Sequence, residues 1–331
     1  MKYRKFAGTS VEVSEISFGC WTLGGLNWVN GTPNGWANVD EDEVLAGVKA
    51  GIDAGVNHFD NADVYGNGRA ERLLGKVLHR LGVRSTDFVI ATKVGHFPGT
   101  AEHAYEPAHI RSQLEQSLIN LRRDYVDIFY FHHADFGPDD RYLPEAAATM
   151  DALVKEGKVR LKGQSAYSVD EFERTIPIVK PQLIQTWANI LDDRYIRNGG
   201  RMDNLMKKEN LSAVIFAPLA KGLLLDKYDA SKPPSFDEGD TRRGRAEFQT
   251  ESLKRLKPKL EKMKARFGSS TEELAAVAMN YILVNPHVAC VIPGFRNEKQ
   301  ARCNLAPSTK DLTAADLDFI REIFAEDQKQ D

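Results

Sequence analysis

The chain has 331 residues, 42% of them hydrophobic and 27% charged, with a formal charge of −3. This is a globular composition, and so small a negative charge excludes the electrostatic footprint of nucleic-acid or anionic-membrane binding. Cys20, Cys290 and Cys303 show no CxxC spacing, MKYRKFAGTS lacks the apolar core of a secretion signal, and no twenty-residue apolar run occurs; a cytoplasmic protein with small-molecule partners, no metal and no implied oligomeric partner is expected.

Residues 2–14 read as two short strands around Gly8-Thr9, a hairpin suited to covering one end of a barrel. Residues 16–19 read as a first buried strand, and 20–39, rich in Gly, Asn and Trp, as a long loop of the kind that carries function. Asp40 and Glu43 open a helix whose face is Val44, Val48 and Ile52, and Gly55 ends it. A regular alternation then begins. Strands are predicted over 58–61, 88–93, 126–132, 159–165, 183–189 and 213–218, with helices over 70–81, 107–121, 143–156, 168–176 and 201–208 between them. Residues 221–249 interrupt the rhythm with Pro233-Pro234 and a charged Asp240-Thr241-Arg242-Arg243 run, which reads as a lid or ordered excursion, with a disordered linker as the alternative. Helices over 251–266 and from the Ser270 cap to Tyr281 follow, then a strand over 288–293 and helices from about Asn297 and over 314–325.

Eight short apolar strands, nearly all followed by a helix, predict a (β/α)8 TIM barrel with an N-terminal β-hairpin and long loops after strands 1 and 7, in one domain over 1–331. An open doubly wound sheet is the alternative, weakened because Gly66-Asn67-Gly68 lacks the third glycine of the dinucleotide fingerprint.

Active-site groups of such barrels stand at the C-terminal strand ends, which directs attention to Asp60, Lys93 and His132 and to Tyr65 in the loop after the second strand. The set suits carbonyl reduction. A hydride arriving at carbon leaves a developing alkoxide that needs a proton donor. A phenol is a poor donor at neutral pH unless a cation lies close. Lys93 supplies that cation, Asp60 holds it, and His132 orients the carbonyl oxygen. Taken singly, each has an ordinary explanation: a cap or turn for Asp60, a structural ion pair for Lys93, a pocket wall for Tyr65, a core histidine for His132. Their arrival on consecutive strands strains that account.

The Asp60-x-x-x-x-Tyr65-Gly66 spacing, the Ala91-Thr92-Lys93 strand end and the strand running from Asp127 to His132 resemble the aldo-keto reductase superfamily, over nearly the whole chain from Gly19-Cys20-Trp21 to Asn304, and most of all its bacterial members with longer loops. The resemblance implies an NADPH-dependent reductase with Tyr65 as general acid, Lys93 lowering its pKa, Asp60 pairing with Lys93 and His132 orienting substrate, reversible as an alcohol or sugar dehydrogenase. It also implies cofactor contacts at Cys20, Trp21, Asp60, Ser165, Gln185, Phe216, Ala217, Pro218, Leu219, Lys221, Gly222, Gly294, Arg296, Gln300 and Asn304. Ser165 and Gln185 are expected on the carboxamide, Phe216 on the nicotinamide face, and Arg296 on a 2′-phosphate, which favours NADP over NAD. Two departures from the pattern, Ala166 and Ala188, bear on cofactor affinity and pocket shape.

Substrate contacts are expected from Trp21, Tyr65, His132 and His133, with Trp28, Trp36 and Asp135 nearby, which suits a sugar-like or aromatic aldehyde. Three other readings compete: a nucleotide-binding regulatory subunit on a reductase scaffold, a Schiff-base aldolase using Lys93, and a metal-dependent hydrolase using His132, His133 and Asp135. The last is weakened because neighbouring strand residues point to opposite faces.

Overall fold

The computed structural model describes residues 1–306 and 311–328; residues 307–310 and 329–331 of the expected 1–331 span lie outside the described residues. The barrel strands are numbered β1 (Phe18–Gly19), β2 (His58–Asp60), β3 (Val89–Val94), β4 (Val126–Phe131), β5 (Val159–Ser165), β6 (Leu183–Trp187), β7 (Ser212–Phe216) and β8 (Val288–Val291). All seven neighbouring pairs are parallel and in chain order. The two ends of this sheet meet. Parallel bridges join Ile16 to Val291 and Gly19 to Gly294, and Ser17 N–H donates to the Val291 carbonyl at 2.9 Å, so the eight strands close into the (β/α)8 barrel.

Strand parity decides what fills the interior, since side chains two apart share a face. Ala91, Ile128, Tyr130, Leu161, Leu183, Val214 and Cys290 pack together inside. The N-terminal hairpin, Tyr3–Lys5 paired with Glu12–Ser14, adds Phe6, Val11 and Val13 to this cluster and closes the bottom of the barrel. Arg4 fastens the hairpin there by donating to the carbonyls of Leu283, Asn285 and Val288. Gly163 has to be glycine because the Tyr130 ring crosses it: a Cβ would lie 2.2 Å from that ring.

Helices surround the strands: α1 (Glu41–Asp53), α2 (Arg69–Arg80), α3 (Pro107–Leu121), α4 (Leu143–Lys155), α5 (Val169–Val179), α6 (Arg201–Glu209), α7 (Thr250–Phe267), α8 (Thr271–Leu283), α9 (Glu298–Leu305) and α10 (Ala314–Phe324). Asp40 caps α1 through the amides of Asp42 and Glu43, and Ser270 with Glu273 forms a reciprocal capping box on α8. Helix α5 passes through Pro177 to Val179 and outruns its predicted end at 176. A proline there costs one hydrogen bond near the terminus, while Ile176 and Val179 remain buried. Strand β7 stops at Phe216, short of the expected 218, because Ala217 takes φ +55° and turns the chain.

Both long loops are ordered. The first holds a short helical turn, Trp21–Leu23, and a miniature hairpin, Trp28–Val29 against Thr32–Pro33, turning at Asn30 and Gly31 with φ +49° and +75°. The excursion after β7 builds its own apolar cluster from Leu223, Phe248 and Leu253, flanked by Tyr228 and Phe236, so the disordered-linker alternative falls away. The two loops are tied together: Gly35 N–H donates to the Gly239 carbonyl at 2.9 Å and Thr241 N–H to the Gly35 carbonyl at 2.8 Å.

Candidate active site

The parity that places Ala91 and Tyr130 inside the barrel also places Lys93 and His132 at its mouth, one step further along the same faces. Asp60, Ser165, Gln185 and Phe216 stand two residues beyond His58, Gly163, Leu183 and Val214 in the same way. The sequence-predicted residues therefore converge. Lys93 Nζ donates to Asp60 Oδ1 at 2.5 Å, to the Asn61 carbonyl at 2.6 Å and to the Tyr65 hydroxyl at 3.3 Å. Asp60 and Lys93 are buried, at 1% and 0% exposure, whereas Tyr65 is only partly so.

Burial dominates the electrostatics of this centre. Burial first, then the negative charge of Asp60, hold the Tyr65 phenol protonated well above its ordinary range. Burial also pulls the Lys93 ammonium down, with Asp60 opposing that shift. The Lys93 ammonium is shared between the Asp60 carboxylate and the phenol oxygen, to which it donates at 3.3 Å. Because Lys93 donates to the phenol oxygen, the phenol's own proton is left for another acceptor.

The His132 imidazole is neutral at pH 7, since burial and then the neighbouring His96 push its pKa well below the usual value. Its ring meets Tyr65 edge to face at 5.7 Å and His96 at 4.3 Å, and its buried Nδ1 has no hydrogen-bond partner. His133 is different. It has the opposite strand parity, its Nε2 lies 2.7 Å from the Gly95 carbonyl, and its Nδ1 accepts from Asp135 N–H at 3.1 Å. Both ring nitrogens are spent on backbone, so His133 is not brought into the pocket. His96, which sequence reasoning missed, stands beside His132 instead; its signal was a histidine three residues beyond a strand-end lysine.

A nicotinamide nucleotide can be tested against these residues. Ser165 and Gln185 are side by side in register, as are Trp187 and Phe216, giving a polar wall and an aromatic wall. Gln185 Nε2 is engaged with Asp60 Oδ2 at 2.7 Å, which joins it to the Asp60–Lys93 pair. The Ser165 hydroxyl makes no protein hydrogen bond among the described residues, so of the two it is the one free to meet a ligand. Trp21 packs 6.3 Å from Tyr65, and its indole N–H goes to the Asn34 carbonyl, not to the pocket. Cys20, beside it, is fully buried, and its N–H donates to the Asp60 carbonyl at 2.8 Å.

At the far end, Ala217, Ala220 and Lys221 all take positive φ, and the chain from Phe216 through Pro218, Leu219 and Gly222 turns tightly away from the aromatic wall. Gln300 Oε1 accepts from Arg296 N–H at 2.9 Å and Asn304 Nδ2 donates to the Gly294 carbonyl at 3.1 Å, which shapes the 294–297 turn. Arg296 itself donates to the Ala37 carbonyl. Around it gather Arg242, paired in a fork with Asp240 at 2.9 and 2.7 Å, and Lys227, which has no carboxylate partner among the described residues. Burial, Arg242 and Arg296 together lower the Lys227 pKa, the mark of three cations crowded against one carboxylate. Such an excess of positive charge fits the phosphates of a nucleotide. Lys227 was also missed from the sequence, where it is one more lysine in a polar excursion.

Comparison with known proteins bears on the same region. The model of the Aldo/keto reductase family matches residues 15–325. The chain is 27% identical to L-galactose dehydrogenase of Arabidopsis thaliana, over 98% of this chain and 94% of that one. It is also 27% identical to a probable voltage-gated potassium channel subunit beta of the same plant, over 100% and 98% of the two chains. Among solved structures, an aldo-keto reductase of Bacillus halodurans in its holo form superposes with a TM-score of 0.73 at 25% identity, covering 98% of this chain and 96% of that one.

Proposed function

The chain belongs to the aldo/keto reductase family of oxidoreductases, and from that premise we propose that it reduces an aldehyde or ketone to the alcohol with NADPH, Tyr65 serving as the proton donor. The observation that carries this reading is the Asp60–Lys93–Tyr65 chain of contacts at 2.5 and 3.3 Å.

When bound, the dihydronicotinamide supplies the hydride. Every other part of the step belongs to the protein. Phe216 and Trp187 offer the aromatic face, and Ser165 orients the carboxamide. The substrate carbonyl oxygen is received between the Tyr65 hydroxyl and His132, whose neutral ring has an unpartnered nitrogen. As negative charge develops on that oxygen, the phenol gives up its proton, and Lys93 donates into the phenolate that forms, replacing a weak contact by a charge-assisted hydrogen bond. In alcohol oxidation the same groups act in reverse. The 2′-phosphate of NADPH is assigned to Arg296, Lys227 and Arg242, whose combined charge is what supports NADP over NAD. The chain acts as a single catalytic domain.

The Schiff-base alternative is disfavoured because Lys93 Nζ is fully buried and already serves three acceptors. A panel of aldehydes, ketones and sugars with NADPH and NADH, run on the native enzyme and on Tyr65→Phe, tests the proposal. Loss of the general acid lowers kcat by about 10²- to 10⁴-fold while the nucleotide still binds. Unchanged aldehyde reduction by Tyr65→Phe would remove Tyr65 from the role.

A further inference from the structure

Asp63, two residues before Tyr65, is 4% exposed, and neither of its carboxyl oxygens has a hydrogen-bond partner among the described residues. A carboxylate so placed would lose its water with nothing to replace it, whereas a neutral acid loses far less. The main chain around it is tied down. Asp63 N–H donates to the Lys93 carbonyl at 3.3 Å, and the Asp63 carbonyl accepts from Gly68 N–H at 2.7 Å, which fixes the residue against the strand end that carries Lys93.

A second acid is buried close by with the opposite provision. Glu71, on the first turn of α2, is 1% exposed, and its two oxygens accept from Thr92 Oγ1 at 2.6 Å and from Asn120 Nδ2 at 2.9 Å. Two carboxyls in one low-dielectric region do not both ionise, and the one supplied with donors keeps the charge. Burial raises the Glu71 pKa, but those donors oppose the rise; burial and then Glu71 itself push the Asp63 pKa well above the usual carboxylate range. The cations around Asp63 are engaged elsewhere. Lys93 serves Asp60, the Asn61 carbonyl and Tyr65, while Arg69 donates to the carbonyls of Gly66 and Leu26 and Arg72 to that of Asn67. Tyr65 and Tyr105 also feel the charge of Asp63, and both phenols are held protonated.

We propose that Asp63 is a positioning residue that acts through Lys93: carried as the neutral acid it leaves Tyr65 able to give up its proton in carbonyl reduction, and its ionisation turns the same site toward alcohol oxidation. The inference rests on the reductase reading and adds a control of direction to that site. With Asp63 neutral, Asp60 is the one carboxylate charge paired with Lys93. Ionised Asp63 adds a second negative charge near the lysine and the phenol across a buried medium, where such charges are weakly screened. The phenol then holds its proton more tightly, so it is a poorer acid toward a developing alkoxide and its phenolate a stronger base toward an alcohol.

The test follows kcat/KM against pH for aldehyde reduction with NADPH and for alcohol oxidation with NADP, in the native enzyme and in Asp63→Asn, Asp63→Ala and Glu71→Gln. In the native enzyme reduction is expected to fall by about 10-fold or more as pH rises through the ionisation of Asp63, while oxidation rises. Both neutral Asp63 variants flatten that change to within about 3-fold, and Glu71→Gln, which removes the charge holding the proton on Asp63, moves it down by about one pH unit. Melting gives a second readout. The folded pKa of Asp63 lies above its unfolded value of about 4, so stability is lost as pH rises from there, opposite in sign to a buried histidine. Asp63→Asn should therefore raise Tm at about pH 7 by about 3 °C or more, with the gain shrinking toward about pH 4. A native pH dependence kept in both neutral variants, or a melting gain of equal size at about pH 5 and about pH 8, overturns the assignment while the reductase reading stands. If no carbonyl consumes NADPH, the reductase reading fails and the role of Asp63 falls with it.

Discussion

Two regions meet above the barrel, and they are built on opposite plans. The Asp60–Lys93–Gln185 cluster comes from three strand ends, is sealed from solvent and is placed by sheet register. The strap over the mouth, from Gly35 and Trp36 across to Asp240 and Arg242, comes from two loops held by a few hydrogen bonds, one forked ion pair and a cation over an indole. Groups that must meet a reacting atom within tenths of an ångström stand on the rigid element. In the proposed function the strap side carries the groups assigned to the nucleotide, on segments held by fewer contacts than the strand ends.

The contrast can be broken most severely at Asp60. Asp60→Asn leaves Lys93 buried without its counter-charge, and is expected to cost about 3–5 kcal/mol of unfolding free energy in denaturant titration as well as carbonyl-reducing activity. A variant of native stability would show that the pair is not what orders the strand ends.

A second way to sharpen it is pH. His58 sits fully buried at the base of β2, and burial brings its pKa down to about 4. Its folded pKa lies below its unfolded one, so the unfolded chain binds the proton first. The stability this group contributes is present above about pH 6.5 and is lost as pH falls toward 4, on the order of 3 kcal/mol in all. His96, pushed to about 4 mainly by burial, and His132 titrate in the same sense. Thermal melts should therefore decline across that window in the native protein, and less steeply in a His58→Leu variant that still folds.

The smallest effect is expected on the strap side. Arg296→Met or Lys227→Met should weaken NADPH binding by about 10- to 100-fold in fluorescence titration, steeply with salt, and leave NADH binding and melting temperature nearly unchanged. Equal losses for both nucleotides would assign these cations to the shared pyrophosphate instead.

Much of the site was legible because strand parity is a property of the sequence. Ala91 and Tyr130 mark the inward face, and Lys93 and His132, two further on, inherit the direction. The same rule explains where the prediction for His133 failed: it is one residue out of phase, and its ring turns to the backbone of Gly95. What could not be read was pairing across loops. Nothing local in the excursion announces that Asp240 will accept from Ala37 N–H, or that Gly239 will support Trp28.

The sequence by itself determined the barrel, its caps and the parity that aims Asp60, Lys93 and His132 at one mouth, because periodicity and capping act over a few residues. Tertiary structure alone decided that burial and Asp60 keep Tyr65 protonated, that Lys93 pairs with Asp60, and that Trp28 lines the cavity beside the first-loop hairpin. Those outcomes depend on desolvation and on contacts between separate segments, 33 residues apart for Asp60 and Lys93 and far more for Trp28 and Gly239, for which a local pattern carries no signal.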